Sequence, residues 1–374
     1  MTRRIFLANC AVAMAGTGGR RKVLISVFQR GAMDGLNTVI PFHDKRYYEL
    51  RPSIAIASPL DLDGTFGLHP SLDTLKPLWD RRQLAIVHAA GSPDPTRSHF
   101  DAQDYMESGT PGLKATRDGW LNRALPPGAA TPLRAVSMGP RLPRSMRGAN
   151  SAVAIANLRD FKLREKGSMD ELQTMYSDTQ PGRDTFEAMK LIESIDRQPY
   201  SPAAAYPESK FGQSLQQIAR LVKADIGVEV AFAEIGGWDT HANQSPRLTN
   251  LLSDFGRSIA AFSTDLGDRF EDVMLVTMSE FGRTARENGN GGTDHGHANV
   301  MFIAGGSAAL KGGEVHGAWP GLEPEQLYEG RDLAVTTDFR SVLGELVSSH
   351  LGVRDLARVF PGASKGLASQ SLLL

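Results

Sequence analysis

Asp294, His295 and His297, carried by Gly292-Thr293-Asp294-His295-Gly296-His297, combine the donor types that hold a divalent ion. Imidazole nitrogen and carboxylate oxygen suit zinc or manganese. An ion so held polarises a phosphoryl, sulfuryl or carbonyl oxygen, or activates a water. The same residue types also close turns and cap helices, because Asp bonds its own backbone and Gly supplies positive φ. The apolar run at 300–304 that follows favours the ligand reading, since it sets the stretch against a strand.

Other polar clusters stand just after other strand-like runs. Gly236-Gly237-Trp238-Asp239-Thr240-His241 follows the run at 228–232. Asp239 and His241, two apart, face the same way in an extended chain, although Asp239 also reads as the cap of a helix beginning near Pro246. Ser279-Glu280-Phe281-Gly282-Arg283 follows the run at 273–277. There Glu280 is placed to ligate a metal and Arg283 to grip an anionic oxygen in a fork, unless the two simply pair with each other. Arg97-Ser98-His99-Phe100-Asp101 comes after the run at 84–87. Ser98 with an acid three residues later is a capping-box signature. A helix N-terminus also stabilises a nucleophilic hydroxyl and a bound oxyanion, so Ser98 reads as cap, nucleophile or both. After the first run, at 23–28, Asp34 and Asn37 offer oxygen ligands, and Gly31 and Gly35 permit a tight turn. In open α/β sheets ligands collect at the carboxyl ends of strands, and the repeated placement of polar clusters there is what an active site requires.

The elements that must position these residues form a regular alternation. Short β-branched runs at 23–28, 84–87, 228–232, 273–277 and 300–304, with less regular ones at 133–138 and 152–156, alternate with helical patterns. The helices are expected at about 98–108, 210–224, 247–266 and 337–351. In Phe211, Leu215, Ile218 and Leu221 the apolar residues recur at steps of three and four, the mark of a helix that buries one face. The fold class that follows is α/β, with a mostly parallel central sheet flanked by helices in a single domain over 22–374. Residues 139–205 are rich in Pro, Arg and Ser and poor in strand-like runs. They read as an inserted, lid-like segment or as a helical excursion that adds bulk.

Composition sets further limits. The chain has 374 residues and a formal net charge of -1, so no global field attracts nucleic acid or an anionic membrane surface. Cys10 is the single cysteine, which excludes an intrachain disulfide and leaves any metal to His, Asp and Glu. At the N-terminus Arg3-Arg4 precedes Phe6-Leu7 and a small apolar stretch, and residues 1–21 read as a twin-arginine export signal engaging that export machinery. The expected location is the periplasm or beyond. No other stretch approaches the roughly twenty apolar residues a membrane span needs.

Taken together, Arg30-Gly-Ala-Met-Asp-Gly-Leu-Asn, Ser98-His-Phe-Asp-Ala-Gln, Gly236-Gly-Trp-Asp-Thr-His, Ser279-Glu-Phe-Gly-Arg-Thr and Thr293-Asp-His-Gly-His-Ala-Asn resemble, in order, a bacterial family of unknown function whose members often carry twin-arginine signals. That family is similar to a branch of the alkaline phosphatase and sulfatase superfamily. The resemblance implies an alkaline phosphatase-like domain with one or two divalent metals. It implies Ser98 as nucleophile, Asp239 and His241 as a ligand pair, Glu280 near the place of an Asp-His pair, and His297 as the late histidine before an apolar strand. Gln29 or Arg30 occupies the first-strand position where an aspartate is expected, and Phe281 stands in place of a histidine. Asp34, Asp294 or His295 would rebuild a missing ligand position.

The expected function is an exported metal-dependent hydrolase of a phosphate or sulfate ester, on a small molecule or a polysaccharide. Asp239, His241, Glu280, Asp294, His295 and His297 would be ligands, and Arg283 or Arg97 the charge clamp. The alternative is a non-catalytic metal- or polysaccharide-binding protein on the same fold. A carboxylesterase or amidase using the same metal is a third reading.

Overall fold

The computed structural model describes residues 20–126, 131–158, 179–363 and 367–374. The expected export signal, apart from its last two residues, and Cys10 lie outside the described residues, as does 159–178 within the expected insertion.

Side chains that alternate along each strand divide between two apolar layers, and this makes the central sheet the middle of a sandwich. In β1 (Val23–Arg30), Val23, Ile25 and Val27 enter one core while Leu24 and Phe28 enter the other. The sheet continues through β2 (Leu84–Gly91), β3 (Ala135–Met138), β4 (Val153–Ile155), β5 (Val230–Gly236), β6 (Val273–Met278), β7 (Asn299–Gly305), β8 (Val315–His316) and β9 (Thr337–Asp338). Its spatial order is β8-β2-β7-β6-β1-β5-β3-β4, with β9 also paired to β2.

Five longer helices cover the sheet: α1 (His99–Ser108), α2 (Gln180–Asp196), α3 (Lys210–Lys223), α4 (Gln244–Leu266) and α5 (Phe339–Ser349). α3 turns Phe211, Leu215 and Ile218 inward, and α4 adds Leu252, Phe255, Ile259 and Phe262 to the same layer. α5 lays Phe339, Val342, Leu343 and Leu346 on the opposite face. Each such side chain contributes about 1.5–3 kcal/mol by leaving water. A separate three-stranded sheet is built from Val39–Ile40, Gly67–Leu68 and Leu60–Asp61.

The mixed, mostly parallel sheet agrees with the fold class read from the sequence. The difference is β7, which runs antiparallel to both neighbours, β6 and β2. Its connection from β6 stays at one end of the sheet, so the chain must re-enter in the opposite sense. As a result, the start of β7 lies at the same edge as the carboxyl ends of β1, β2, β5 and β6, and the residues just before it join those just after the parallel strands. Within 139–205, the described portions add the edge strand β4, and α2 buries Ala188, Ile192 and Ile195 in the core.

Candidate metal centre

Three connections at that carboxyl edge deliver the polar residues. His99 opens α1, the helix that follows β2, and Ser98 caps it by accepting from the Asp101 backbone N–H. Asp239 and His241 occupy the turn between β5 and α4, while Glu280, Arg283, Asp294 and His295 belong to the connection from β6 to β7. The connections pack closely enough to require glycine. Gly31, at φ +113°, would place a Cβ 2.7 Å from the Asp239 backbone nitrogen, and a Cβ on Gly292 would lie 2.4 Å from the carbonyl carbon of His241.

Three imidazoles share one arrangement. His99 Nδ1 lies 2.8 Å from Glu280 Oε1, His241 Nδ1 2.9 Å from Asp294 Oδ1, and His295 Nδ1 3.0 Å from the Arg97 carbonyl oxygen. All three partners are acceptors, so each Nδ1 donates and each Nε2 is free to offer a lone pair. The three Nε2 atoms converge on one carboxylate oxygen, Asp239 Oδ1, at 3.6 Å for His99, 3.0 Å for His241 and 3.4 Å for His295. His241 Nε2 and His295 Nε2 are 3.0 Å apart. His99 Nε2 is buried without a hydrogen-bond partner.

The distances among His99, Asp239 and His295 fit a metal centre, and His241 adjoins that group through Asp239 and His295. Ligand atoms around a tetrahedral zinc with bonds near 2.0–2.1 Å are about 3.3 Å apart, and the ligand atoms of His99, Asp239 and His295 all lie within 4.8 Å of one another. Two lone pairs at the His241–His295 separation repel unless a cation or a proton lies between them. The Asp239 side chain is 48% exposed and that of His241 43%, so the cluster opens to solvent. Phe281, standing where the resemblance expects a histidine, packs its ring 4.9 Å from that of His99 and 5.0 Å from that of His295, forming an apolar wall.

The surrounding charges tune the cluster. Burial pushes the Asp239 carboxyl up, but the Arg283 hydrogen bond and charge, with His241 and His99, outweigh it and hold it below the ordinary value. Glu280 is likewise raised by burial and brought below its ordinary value by hydrogen bonds from His99, Gln103 and the Gly31 amide. The Glu280 hydrogen bond lifts His99 above its usual value against the opposing effect of burial. Burial lowers His295, and the His241 hydrogen bond lowers Asp294. A divalent ion would bind the neutral imidazoles through their Nε2 lone pairs, and protonation at Nε2 would compete with it.

Other residues singled out from the sequence fall elsewhere or take different partners. Arg283 pairs with Asp239 at 2.7 Å rather than with Glu280. Its remaining donors reach the carbonyls of Gly31, Ala32, Trp238 and Thr293, so the guanidinium ties three connections together. Arg97 turns its side chain to Asp332 and Glu329 and meets the cluster through its backbone carbonyl. Ser98 is exposed at the end of α1. His297 packs against Tyr328 with Nε2 at 3.1 Å from the Ser92 carbonyl oxygen. Asp34 is fully enclosed and bonded to Arg51 and Gln244. Asp239 does not cap α4, whose cap position is Asn243.

The sequence alone assigns His99 no role. It lies beside Ser98 in a segment whose capping signature already has a sufficient explanation. The available signal was its place in the first turn of a helix that follows a strand.

A carboxylate and three anchored imidazoles at the carboxyl edge of a mostly parallel sheet define an α/β protein with a candidate metal centre. The chain belongs to the family described as "Protein of unknown function (DUF1501)", whose model matches residues 21–359. A search of curated proteins gives no match. Among solved structures the chain is similar to the C-terminal periplasmic domain of EcEptC from Escherichia coli, in complex with Zn, at 10% identity, covering 77% of this chain and 74% of that one with a TM-score of 0.36. It is also similar to alkaline phosphatase from the Antarctic bacterium TAB5, at 9% identity over 77% and 92% of the two chains with a TM-score of 0.34. The PsFucS1 sulfatase from Pseudoalteromonas sp. is similar at 11% identity over 96% and 71%, with a TM-score of 0.36.

Proposed function

We propose that this protein is an exported metal-dependent hydrolase of phosphate or sulfate esters, on a small molecule or a polysaccharide, centred on Asp239. One observation carries the reading: His99, His241 and His295 each have Nδ1 held by an acceptor while Nε2 faces the same carboxylate oxygen. The export reading rests on Arg3-Arg4 and the apolar stretch after them.

In this reading Asp239, His99, His241 and His295 hold a divalent ion, with zinc or manganese matching the donor set. A bound divalent ion polarises the ester and stabilises developing negative charge. Glu280, Asp294 and the Arg97 carbonyl fix the three imidazoles, and Arg283 fixes Asp239. Ser98, exposed beside His99 at the start of α1, is the nucleophile: its oxygen bonds to phosphorus or sulfur as the alcohol departs, and water then releases the phosphate or sulfate. His297 and Asp34 stand outside this ligand set. The test is metal content together with hydrolysis of p-nitrophenyl phosphate and p-nitrophenyl sulfate. Wild type should carry metal and turn over one of them. Ser98→Ala should keep the metal and lose turnover.

A second reading, metal or polysaccharide binding without turnover, is favoured by Arg283, whose side chain is fully buried and whose three guanidinium nitrogens all bond protein oxygens, so that it presents no fork to a substrate. Stoichiometric metal with no hydrolysis of either ester would select it.

A further inference from the structure

Behind the candidate metal centre lies a second layer of buried polar groups that leads to both loops bearing its residues. Gln244, the first residue of α4, is fully buried. Its Oε1 accepts from Thr240 Oγ1 at 3.0 Å and from Thr293 Oγ1 at 2.7 Å, while its Nε2 donates to Asp34 Oδ2 at 2.5 Å. The amide orientation follows from its partners, since a carboxylate offers no proton and must face the NH2 group. Thr240 lies between Asp239 and His241, and Thr293 immediately precedes Asp294 and His295. Both threonines are buried, and the Thr293 backbone N–H also donates to the Thr240 carbonyl. Asp34 cannot follow a shift of Gln244, because Arg51 grips it at 2.6 Å with both side chains fully enclosed.

We infer that Gln244 is a positioning residue of the metal centre, one amide that clasps the Asp239–His241 loop to the Asp294–His295 loop at ligand distance. The inference rests on the metal-centre reading above. The two loops come from separate connections, and their imidazoles meet at the 3.0 Å His241–His295 contact. That separation depends on what joins the loops from behind. Gln244 joins them through a single acceptor atom, and its backbone N–H adds a bond to the Gly291 carbonyl in the second connection. A change in this clasp moves the imidazoles relative to one another and leaves the ligands themselves intact. The expected consequence is an altered coordination geometry, which a general loss of packing does not by itself produce.

The experiment adds Co(II) alone, then Zn(II) alone, to metal-free full-length protein and reads the affinity of both and the visible spectrum of the cobalt form. Gln244→Ala removes the clasp. Thr293→Val removes one hydroxyl at nearly constant shape, so it remains informative if Gln244→Ala does not fold. Thr293→Ser restores the hydroxyl. Gln244→Ala and Thr293→Val should weaken binding about 10–100-fold and change the cobalt spectrum, and Thr293→Ser should keep wild-type affinity and spectrum. A folded Thr293→Val protein with wild-type affinity and spectrum would overturn the clasp and leave the metal centre standing. Wild-type protein that takes up neither ion would overturn both.

Discussion

Two aspartates of this chain begin from the same local design and end in different chemistry. Asp34 follows β1 and Gly31, Asp239 follows β5 and Gly237, and each pairs with an arginine whose side chain is fully buried: Arg51 at 2.6 Å and Arg283 at 2.7 Å. Around Asp34 the valences are closed. Arg51 also reaches Asn37 and the carbonyls of Ala285 and Thr284, Gln244 donates to the same Asp34 oxygen, and the Asn37 backbone N–H donates to the other. Around Asp239 they are open, with three imidazole nitrogens directed at one oxygen of a half-exposed carboxylate, the His99 nitrogen without a hydrogen-bond partner. A charged cluster that satisfies itself is scaffold. One that leaves lone pairs converging on a point is equipped for a ligand.

The sharpest way to break this contrast is to remove one partner from each cluster. Arg51→Ala leaves the Asp34 carboxylate buried and unpaired and should cost about 3–5 kcal/mol of folding stability. Asp239→Asn, at a half-exposed site, should cost less than about 1 kcal/mol and still abolish metal uptake. Chemical denaturation and metal analysis of the two variants check both halves, and equal stability losses would dissolve the distinction.

Glu280→Gln should come next in size, weakening metal affinity about 10–100-fold by loosening His99, as read by competition with a chelator. The equivalent substitution behind the other aspartate, Asn37→Ala, should leave metal affinity unchanged.

Buried histidines that ligate nothing in either cluster shape the pH response, although the Asp34 charge reaches one of them, His69. His69, His88 and His350 are each lowered to about 4, chiefly by burial. The unfolded chain protonates them near pH 6.5 while the folded protein keeps them neutral, so protons favour unfolding and stability falls as pH drops from about 6.5 toward 4. Each adds a slope of up to about 1.4 kcal/mol per pH unit, and stability from this source is flat above that window. Urea denaturation of metal-free protein at pH 7.5, 6 and 5 should show the decline, and a flat profile would remove these histidines from the account. The smallest effect is Ser98→Ala, which loses a helix cap worth about 1 kcal/mol, measured as a shift in the denaturation midpoint.

The same comparison shows how far the sequence could be read. The strands from 23, 84, 228, 273 and 300 and the helices from 98, 210, 247 and 337 follow from local periodicity, and β3 and β4 appear where the less regular runs stood. That Asp239, His241, Glu280, Asp294 and His295 gather at one edge follows from their places beside strands. What periodicity cannot give is strand direction, so the antiparallel β7 and its consequence for Asp294 and His295 emerge only from pairing. It also cannot separate Asp34 from Asp239, since both follow a strand and a glycine and differ only in distant partners. His99 was hidden by the adjacent cap, and His297, one glycine beyond His295, points instead to Ser92.

The most direct test of the central claim is elemental analysis of wild-type, His99→Ala and His297→Ala protein purified without a histidine tag. The account predicts near-stoichiometric divalent metal in wild type and in His297→Ala, and its loss in His99→Ala. Metal retained without His99, or a wild-type protein that holds none and takes up none on titration, would contradict it.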